Sequence, residues 1–177
     1  MTDREQLLVE LVDERGAAVG ACSVAEAHTE PGRLHRAFSV LLRDDSGRVL
    51  LQRRAATKTR FASRWSNTCC GHPAPGADVA AEAVARLSAE LGVAPEGALT
   101  EAGSFSYRSG DQASGRVEFE WDHVLIGRYN GDVSAADPDE VSECRWVSVA
   151  DLRTAMAANP YAYSPWLADV LRLAVVN

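Results

Sequence analysis

Two pairs of residues in this chain have the types and the spacing to do chemistry together. In the stretch SNTCCGHPAPG (66–76), Cys70 and His72 are two residues apart on extended chain, so their side chains share one face. Glu118 and Glu120 have the same relation within RVEFEWDHVLIGRY. Thiols and carboxyls handle protons, and imidazoles and carboxylates bind metal ions. For the two glutamates alone, the alternative is a strand face turned to water.

Two further histidines extend this set toward a metal site. His28 and His35 flank the turn-rich segment EPGRL, and together with His72 and the two glutamates they offer five nitrogen or oxygen ligands. Such ligands suit Zn²⁺, Mn²⁺ or Fe²⁺, and five of them indicate a site of higher coordination than a closed tetrahedral zinc site. Their spacings match no zinc-finger pattern, and each of the first two taken alone also fits an ordinary turn histidine.

The cysteines favour free thiols over disulfides. Cys22, Cys69, Cys70 and Cys144 are few and unevenly spaced, and a chain of this size needs no covalent staples. A bridge between the neighbours Cys69 and Cys70 would form a strained ring. Cys70 is therefore a candidate reactive thiol, although a cysteine alone is also typical of a small buried apolar residue.

Composition and charge indicate which kinds of molecule the protein could bind. The 177 residues predict one domain, 1–177, and the net charge of −7 argues against nucleic-acid binding. Apolar runs are too short for a membrane span, and the start MTDREQLLVE lacks the pattern of a secretory signal, so we expect a cytoplasmic protein. A small anionic partner remains compatible, because the only lysine, Lys58, stands among several arginines. We expect a monomer or a weak homodimer.

The elements that must position these residues follow from hydrophobic period and turn signals. We predict an α/β (α+β) domain with a mixed sheet. The predicted strands are 7–13, a second extended run through Val24, a hairpin of 38–44 and 48–54, a short run 65–70, then 100–108, 116–129 and 144–149. The predicted helices are 79–91, between the cap residues Asp78 and Gly92, then 149–158, and one that begins at Pro165.

The segment from Gly71 to Val93 has the length of a Nudix box, a strand–loop–helix device that binds diphosphates through metal ions. Gly71, Glu90, Gly92 and Val93 fall at matching positions, whereas Ala77, Arg86 and Ala89 replace acidic ones. Hydrolysis by such a box needs several carboxylates to hold its ions. The pattern therefore indicates the fold without the hydrolytic activity.

Seven motifs in order make the chain similar to the type 1 isopentenyl-diphosphate Δ-isomerases, from about residue 7 to 170. They are HTEPGRLHRAFSVLL, LLQRRAATK, WSNTCCGHPAPG, AELGV, SYR, VEFEWDH and YSPW. The resemblance implies a Nudix-like mixed sheet sandwiched by helices, with extra terminal strands and helices. It also implies isomerisation of isopentenyl diphosphate to dimethylallyl diphosphate, a prenyl diphosphate substrate of isoprenoid biosynthesis.

The resemblance assigns roles residue by residue. Cys70 and Glu120 match the catalytic proton-handling pair, and Cys69 occupies a variable neighbouring position. Tyr107 and Trp166 match aromatic residues of the active site. The remaining matches are the ligands of a Zn²⁺ or Mn²⁺ ion (His28, His35, His72, Glu118, Glu120), a carboxylate for Mg²⁺ on the substrate diphosphate (Glu90), and basic residues that reach that diphosphate (Arg54, Lys58, Arg86).

The chain departs from the family pattern at a few positions, which leaves alternatives open. Val24 stands where a lysine is frequent, and Ala62 and Ser63 replace a common Pro-Gly pair. The first alternative is an isomerase of a modified prenyl diphosphate in a specialised terpenoid pathway. The others are a Nudix hydrolase of nucleoside or prenyl diphosphates, and a relative that binds a metal or a diphosphate without catalysis.

Overall fold

The computed structural model describes residues 3–175, so Met1, Thr2, Val176 and Asn177 of the predicted domain 1–177 lie outside the described residues. Within that range the strands are β1 (Leu8–Val12), β2 (Ala18–Ser23), β3 (His35–Arg43), β4 (Val49–Arg54), β5 (Trp65–Ser66), β6 (Cys69–Gly71), β7 (Thr100–Asp111), β8 (Arg116–Arg128) and β9 (Val141–Val147). The α-helices are α1 (Val24–Ala27), α2 (Val79–Leu91), α3 (Val149–Ala158) and α4 (Leu167–Ala174). Two 3-10 turns cover Asp3–Gln6 and Pro160–Ala162.

Strand β3 is the centre of one mixed sheet. The order β2-β1-β3-β4-β5 forms its main path, while β8 and β6 also pair with β3, β7 pairs with β8, and β9 pairs with β4. The pairing of β3 with β8 is parallel and places His35 opposite Glu120. The pairing of β3 with β6 is antiparallel and places Ser39 opposite Cys70. One central strand thus aligns three motifs that are distant in sequence.

Helices cover both faces of this sheet, each over its own apolar cluster. Alternate residues of β3 point to opposite faces, as strand geometry requires. Phe38, Val40 and Leu42 pack with the buried side of α2, whereas Leu41 packs with Trp166 and the buried side of α4. The predicted α/β (α+β) class with a mixed sheet between helices is therefore confirmed.

Helix α2 begins and ends where the sequence predicts. The side chain of Asp78 accepts a hydrogen bond from the backbone N–H of Ala81 at 2.8 Å. At the other end Gly92 has φ 64°, a left-handed conformation in which glycine is favoured as a helix stop. These two caps set the ends of the helix, and its buried residues Ala83, Leu87 and Leu91 face the sheet.

Several boundaries differ from the sequence predictions, and among them β3 begins at His35 rather than 38 and β7 extends to Asp111 rather than 108. The run 65–70 is not one strand, because the side chains of Asn67 and Thr68 bond to backbone groups of β3 and β4 and interrupt it. Strand β9 covers Val141–Val147 rather than 144–149, and α4 begins at Leu167 rather than Pro165. The short helix α1 follows directly on β2 and was not predicted. No helix in residues 3–175 combines the length and the apolar character that crossing a membrane requires.

Candidate active site

Five side chains from four segments converge on one point and form a cluster that could hold a metal ion. Potential ligand atoms of all five lie within 4.8 Å of one another, and the residues are His28, His35, His72, Glu118 and Glu120. The three imidazole rings are mutually close, with centroids 4.7, 5.0 and 4.9 Å apart. The structure therefore brings together the complete predicted ligand set.

The orientation of two imidazoles is set by backbone carbonyls. Nδ1 of His28 lies 2.7 Å from the carbonyl oxygen of Val24, and Nδ1 of His35 lies 2.7 Å from that of Arg33. A carbonyl only accepts, so each Nδ1 carries the proton, and Nε2 is the nitrogen that can bind a metal ion. Helix α1 supplies the first of these contacts, since Ser23 caps it and begins the turn that carries His28 inward. Nε2 of His28 lies 2.8 Å from Oε2 of Glu118.

One buried ring nitrogen of the cluster, in His35, indicates whether a cation would fit there. Nε2 of His35 is buried and has no hydrogen-bond partner among residues 3–175, and it lies 3.7 Å from Oε1 of Glu120. An orphaned buried polar atom is unfavourable unless it has a ligand to bind. A lone pair aimed at the centre of two carboxylates and two more imidazoles fits a divalent ion.

Burial and neighbouring charges shift the pKa values of the cluster in opposite directions. Burial, with the nearby His72 adding to the effect, lowers the pKa of His35 to about 3, so this imidazole is neutral. Burial raises the pKa of Glu120, and the adjacent Glu118 carboxylate adds to the rise. Burial alone would raise the pKa of Glu118, but the charges of His28 and Arg60 outweigh this effect and hold the pKa well below its usual range.

The Cys70 thiol lies on the Trp166 side of the sheet. Its Sγ donates to Oδ1 of Asn67 at 3.3 Å and lies 3.7 Å from Oγ of Ser39. Burial, with Asp122 nearby, raises the pKa of this thiol to about 12, so it carries its proton at neutral pH. Cys69 points to the other side, where Sγ lies 3.6 Å from Oε2 of Glu90.

Two aromatic side chains connect the thiol with Glu120. The Tyr107 hydroxyl donates to Oε2 of Glu120 at 2.6 Å, and its ring centroid lies 5.8 Å from that of Trp166. The indole N–H of Trp166 donates in turn to Asn67, the residue that holds Cys70. Phe61 meets the indole edge-on at 5.4 Å. The two predicted proton-handling residues therefore stand at the two ends of one aromatic wall.

The predicted diphosphate-binding residues divide into two groups. Lys58 and Arg86 both form ion pairs with Glu140, and Nε of Arg86 lies 2.7 Å from Oε1 of Glu90. Arg54 instead donates to the carbonyl oxygens of Arg60 and Phe61, and its guanidinium lies 5.7 Å from the Trp166 ring centroid.

The loop from Lys58 to Arg64 forms one wall of a cleft of about 500 Å³, which Asp111 and Tyr161 also line. Phe61 and Ser63 have φ values of 47° and 63°, which side-chain-bearing residues seldom adopt. The Asp111 carboxylate accepts from the backbone N–H of Phe61 at 2.9 Å and helps to hold this turn. The departure at Ala62 and Ser63 therefore falls in a tightly held turn beside the site.

Sequence reasoning missed five polar residues of this site: Ser39, Arg60, Asn67, Asp122 and Glu140. Asp122 continues the two-residue period of the glutamates on β8 and could have been found from it. Arg60 bonds the outer oxygen of Glu118 at 3.2 Å and also pairs with Glu5. Glu140 forms ion pairs with Lys58, Arg86 and Arg4, which come from three separate segments. No pattern within DPDEV indicates these ion pairs.

Comparisons with known proteins agree with this fold and site. The family model described as NUDIX domain matches residues 33–167. An isopentenyl-diphosphate Delta-isomerase of Nocardia farcinica is 63% identical over 94% of this chain and 93% of its own length. One of Streptomyces griseus is 46% identical over 94% of this chain and 83% of its own length. A Deinococcus radiodurans crystal structure superposes with a TM-score of 0.76 at 20% identity, over 96% of this chain and 99% of that one, and supports the fold alone.

The sheet between two helical layers and the matched segment define a NUDIX-domain protein, which confirms the predicted Nudix-like fold. The 63% identity to the Nocardia farcinica protein then indicates a narrower family within the NUDIX-domain proteins. The chain belongs to the isopentenyl-diphosphate Delta-isomerase family.

Proposed function

We propose that this chain converts isopentenyl diphosphate into dimethylallyl diphosphate, acting as one domain of residues 1–177 on a small-molecule substrate. The observation that carries the proposal is the placement of Cys70 and Glu120 at the two ends of the wall formed by Trp166 and Tyr107. Family membership at 63% identity supports the same reaction. The particular roles of the residues are part of this proposal.

The reaction needs two proton-handling groups on opposite sides of the hydrocarbon. One proton is added to the terminal methylene carbon, which leaves positive charge on the tertiary carbon. A second proton then leaves the neighbouring CH₂ group, so the double bond moves and no net proton is consumed. One member of the Cys70–Glu120 pair would add the first proton and the other would remove the second.

The positive charge that develops on the tertiary carbon needs stabilisation and protection from water. The ring faces of Trp166 and Tyr107 would provide that stabilisation, because a cation over such a face gains about 2 kcal/mol when water is excluded. Trp166 is only 3% exposed, so the indole also keeps water from the carbocation. These two rings therefore favour rearrangement of the double bond over hydration.

The metal ligands divide between two proposed ions. His28, His35, His72, Glu118 and Glu120 would hold one Zn²⁺ or Mn²⁺, and such an ion supplies positive charge that favours the ionised form of its carboxylate ligands. Glu90 would help to hold Mg²⁺, which neutralises charge on the substrate diphosphate.

The basic residues would orient the diphosphate. Lys58 and Arg86 already lie together around Glu140, and Arg54 stands beside Trp166. Their contacts would fix the hydrocarbon between Cys70 and Glu120, which turns binding energy into positioning. Hydrolysis is the weaker candidate, because Glu90 is the one carboxylate retained from the Nudix box and a hydrolase needs several.

Proton NMR of isopentenyl diphosphate in D₂O, with purified protein, Mg²⁺ and trace Zn²⁺ or Mn²⁺, tests the proposal. We expect growth of the dimethylallyl methyl signals, entry of deuterium into the product and no release of phosphate. Phosphate release would indicate a hydrolase instead. An unchanged spectrum from protein with confirmed bound metal would reject this substrate and direct the search to a modified prenyl diphosphate.

A further inference from the structure

We propose that Asn67 is a positioning residue that holds the Cys70 thiol and the Trp166 indole in a fixed relation through one side-chain oxygen. The inference rests on the proposed function, because it assigns those two groups to the isomerisation. Asn67 itself is 0% exposed and lies in the break between β5 and β6.

Three donors converge on this single oxygen. Oδ1 of Asn67 accepts from Oγ of Ser66 at 2.9 Å, from Nε1 of Trp166 at 3.0 Å and from Sγ of Cys70 at 3.3 Å. An amide oxygen has two lone pairs, so three donors use its full accepting capacity and must share it. The thiol and the indole come from segments far apart in sequence, yet both are directed by the same atom.

The other end of the amide fixes its orientation. Nδ2 of Asn67 donates to the carbonyl oxygen of Cys69 at 2.8 Å and to that of Val40 at 3.2 Å. A flipped amide would turn Oδ1 toward two carbonyl oxygens and Nδ2 toward three donors, so only one orientation is compatible with its surroundings. The bonds to β3 and β6 therefore make Oδ1 a fixed reference point.

This arrangement has a consequence for the chemistry. A displacement of about 1 Å in a reacting group lowers rates on the order of 10²-fold, because the reacting atoms leave their aligned geometry. Cys70 would transfer a proton and Trp166 would face the positive charge, so their separation must be kept within such a tolerance. Asn67 maintains this separation, and it needs no contact with the proposed diphosphate-binding residues Lys58 and Arg86 to do so.

The chemistry of the amide separates a positioning role from a purely structural one. The structural bonds use Nδ2, whereas the bonds to Cys70 and Trp166 use Oδ1. Asn67→Asp keeps an acceptor oxygen and replaces the NH₂ group by a second oxygen, which must carry a proton to donate to the carbonyl oxygens of Val40 and Cys69. Asn67→Ala removes both groups. Ser66→Ala is the matched control, because it deletes the third donor together with its contact to Ser164 at 2.9 Å and leaves the thiol and indole bonded.

We expect Asn67→Ala to lower kcat on the order of 10²-fold with KM changed by less than about threefold. Asn67→Asp should retain at least roughly tenfold more kcat than the alanine variant, and Ser66→Ala should stay within about threefold of the unchanged chain. The proposal is overturned if the aspartate variant is no better than alanine, or if Ser66→Ala falls as far. Should the alanine variant not fold, the comparison of Asn67→Asp with Ser66→Ala decides.

A spectroscopic measurement tests the same contact without substrate. In ¹⁵N-labelled protein the indole N–H signal of Trp166 is assigned as the one lost in Trp166→Phe. We expect Asn67→Ala to shift this signal strongly and Ser66→Ala to shift it little, whereas an unmoved signal in the alanine variant would reject the inference. If the unchanged chain does not isomerise isopentenyl diphosphate, the proposed function fails, but the indole shifts still report whether Asn67 holds Trp166.

Discussion

The hydroxyl of Tyr107 and the carboxylate of Glu120 form a hydrogen bond of 2.6 Å at the boundary between the metal-ligand cluster and the aromatic wall. Oε2 of Glu120 accepts this bond, while Oε1 lies 2.9 Å from Nε2 of His72. Burial, reinforced by the charge of Glu120, raises the pKa of Tyr107 well above its usual range, so the phenol keeps its proton to donate. Glu120 thus contacts the histidines of the cluster with one carboxylate oxygen and the aromatic wall with the other.

Tyr107→Phe removes that donor and keeps the ring. A hydrogen bond to a charged group contributes about 1.5–3 kcal/mol, so we expect kcat to fall by about 10- to 100-fold. Isomerase assays and metal analysis of the same samples measure the effect. Metal content should not change, and a parallel loss of metal would show that the hydroxyl serves the ligand cluster rather than the reaction.

The neighbouring cysteines give a matched pair of variants. Cys70→Ala should lower turnover by about 10²–10⁴-fold, the range for loss of a general acid or base. Cys69→Ala should retain most activity, because Cys69 faces Glu90 and the α2 side of the sheet. Assays at saturating substrate, with thermal unfolding to confirm folding, make the comparison. The reverse pattern would mean that the thiol on the other face does the chemistry.

The histidines allow a test of the metal site that needs no activity. We expect about one divalent ion per chain, and a chelator should lower the unfolding temperature by roughly 5–10 °C through loss of a ligand that binds only the folded state. His35→Gln should lose most of the ion. His123→Gln is the control, because His123 lies outside the cluster and pairs with Glu101 and Arg36. Equal metal content in both variants would contradict the assigned ligands.

Lys58→Met tests the diphosphate site. The loss of one charge-assisted contact should raise KM for isopentenyl diphosphate by roughly 10- to 100-fold, with a smaller change in kcat. Arg172→Met removes the same charge from an exposed residue that, within the described part of the chain, pairs with its neighbour Asp169. Steady-state kinetics of both variants distinguish the loss of a local contact from the general effect of net charge. Equal KM values would show that Lys58 does not contact the diphosphate.

Local signals in the sequence were sufficient for much of the fold. The helix Val79–Leu91 was predicted to the residue because its caps and its apolar period are encoded within the segment itself. The long strand Arg116–Arg128 was predicted for the same reason, and its two-residue period placed Glu118 and Glu120 on one face. The assembly of the five-residue cluster needed the family resemblance as well, because spacing alone left His28 and His35 open to other interpretations.

Contacts between remote segments explain what was missed. Asn67 is one polar residue in a short extended run, and its importance comes from Trp166, which the chain reaches much later. Glu140 likewise gains its role only when Lys58 and Arg86 fold around it. A local pattern carries no information about such partners, so these residues could be recognised only from coordinates.

The parallel pairing of β3 with β8, which places His35 beside Glu120, has a consequence for folding kinetics. Parallel strands cannot be joined by a tight turn, so this ladder closes only after the long intervening chain has been ordered. The hairpin of β7 and β8 is local and can form early, but it supplies only the carboxylates. A metal ion therefore meets its complete ligand set late, and its main effect should be slower unfolding rather than faster folding.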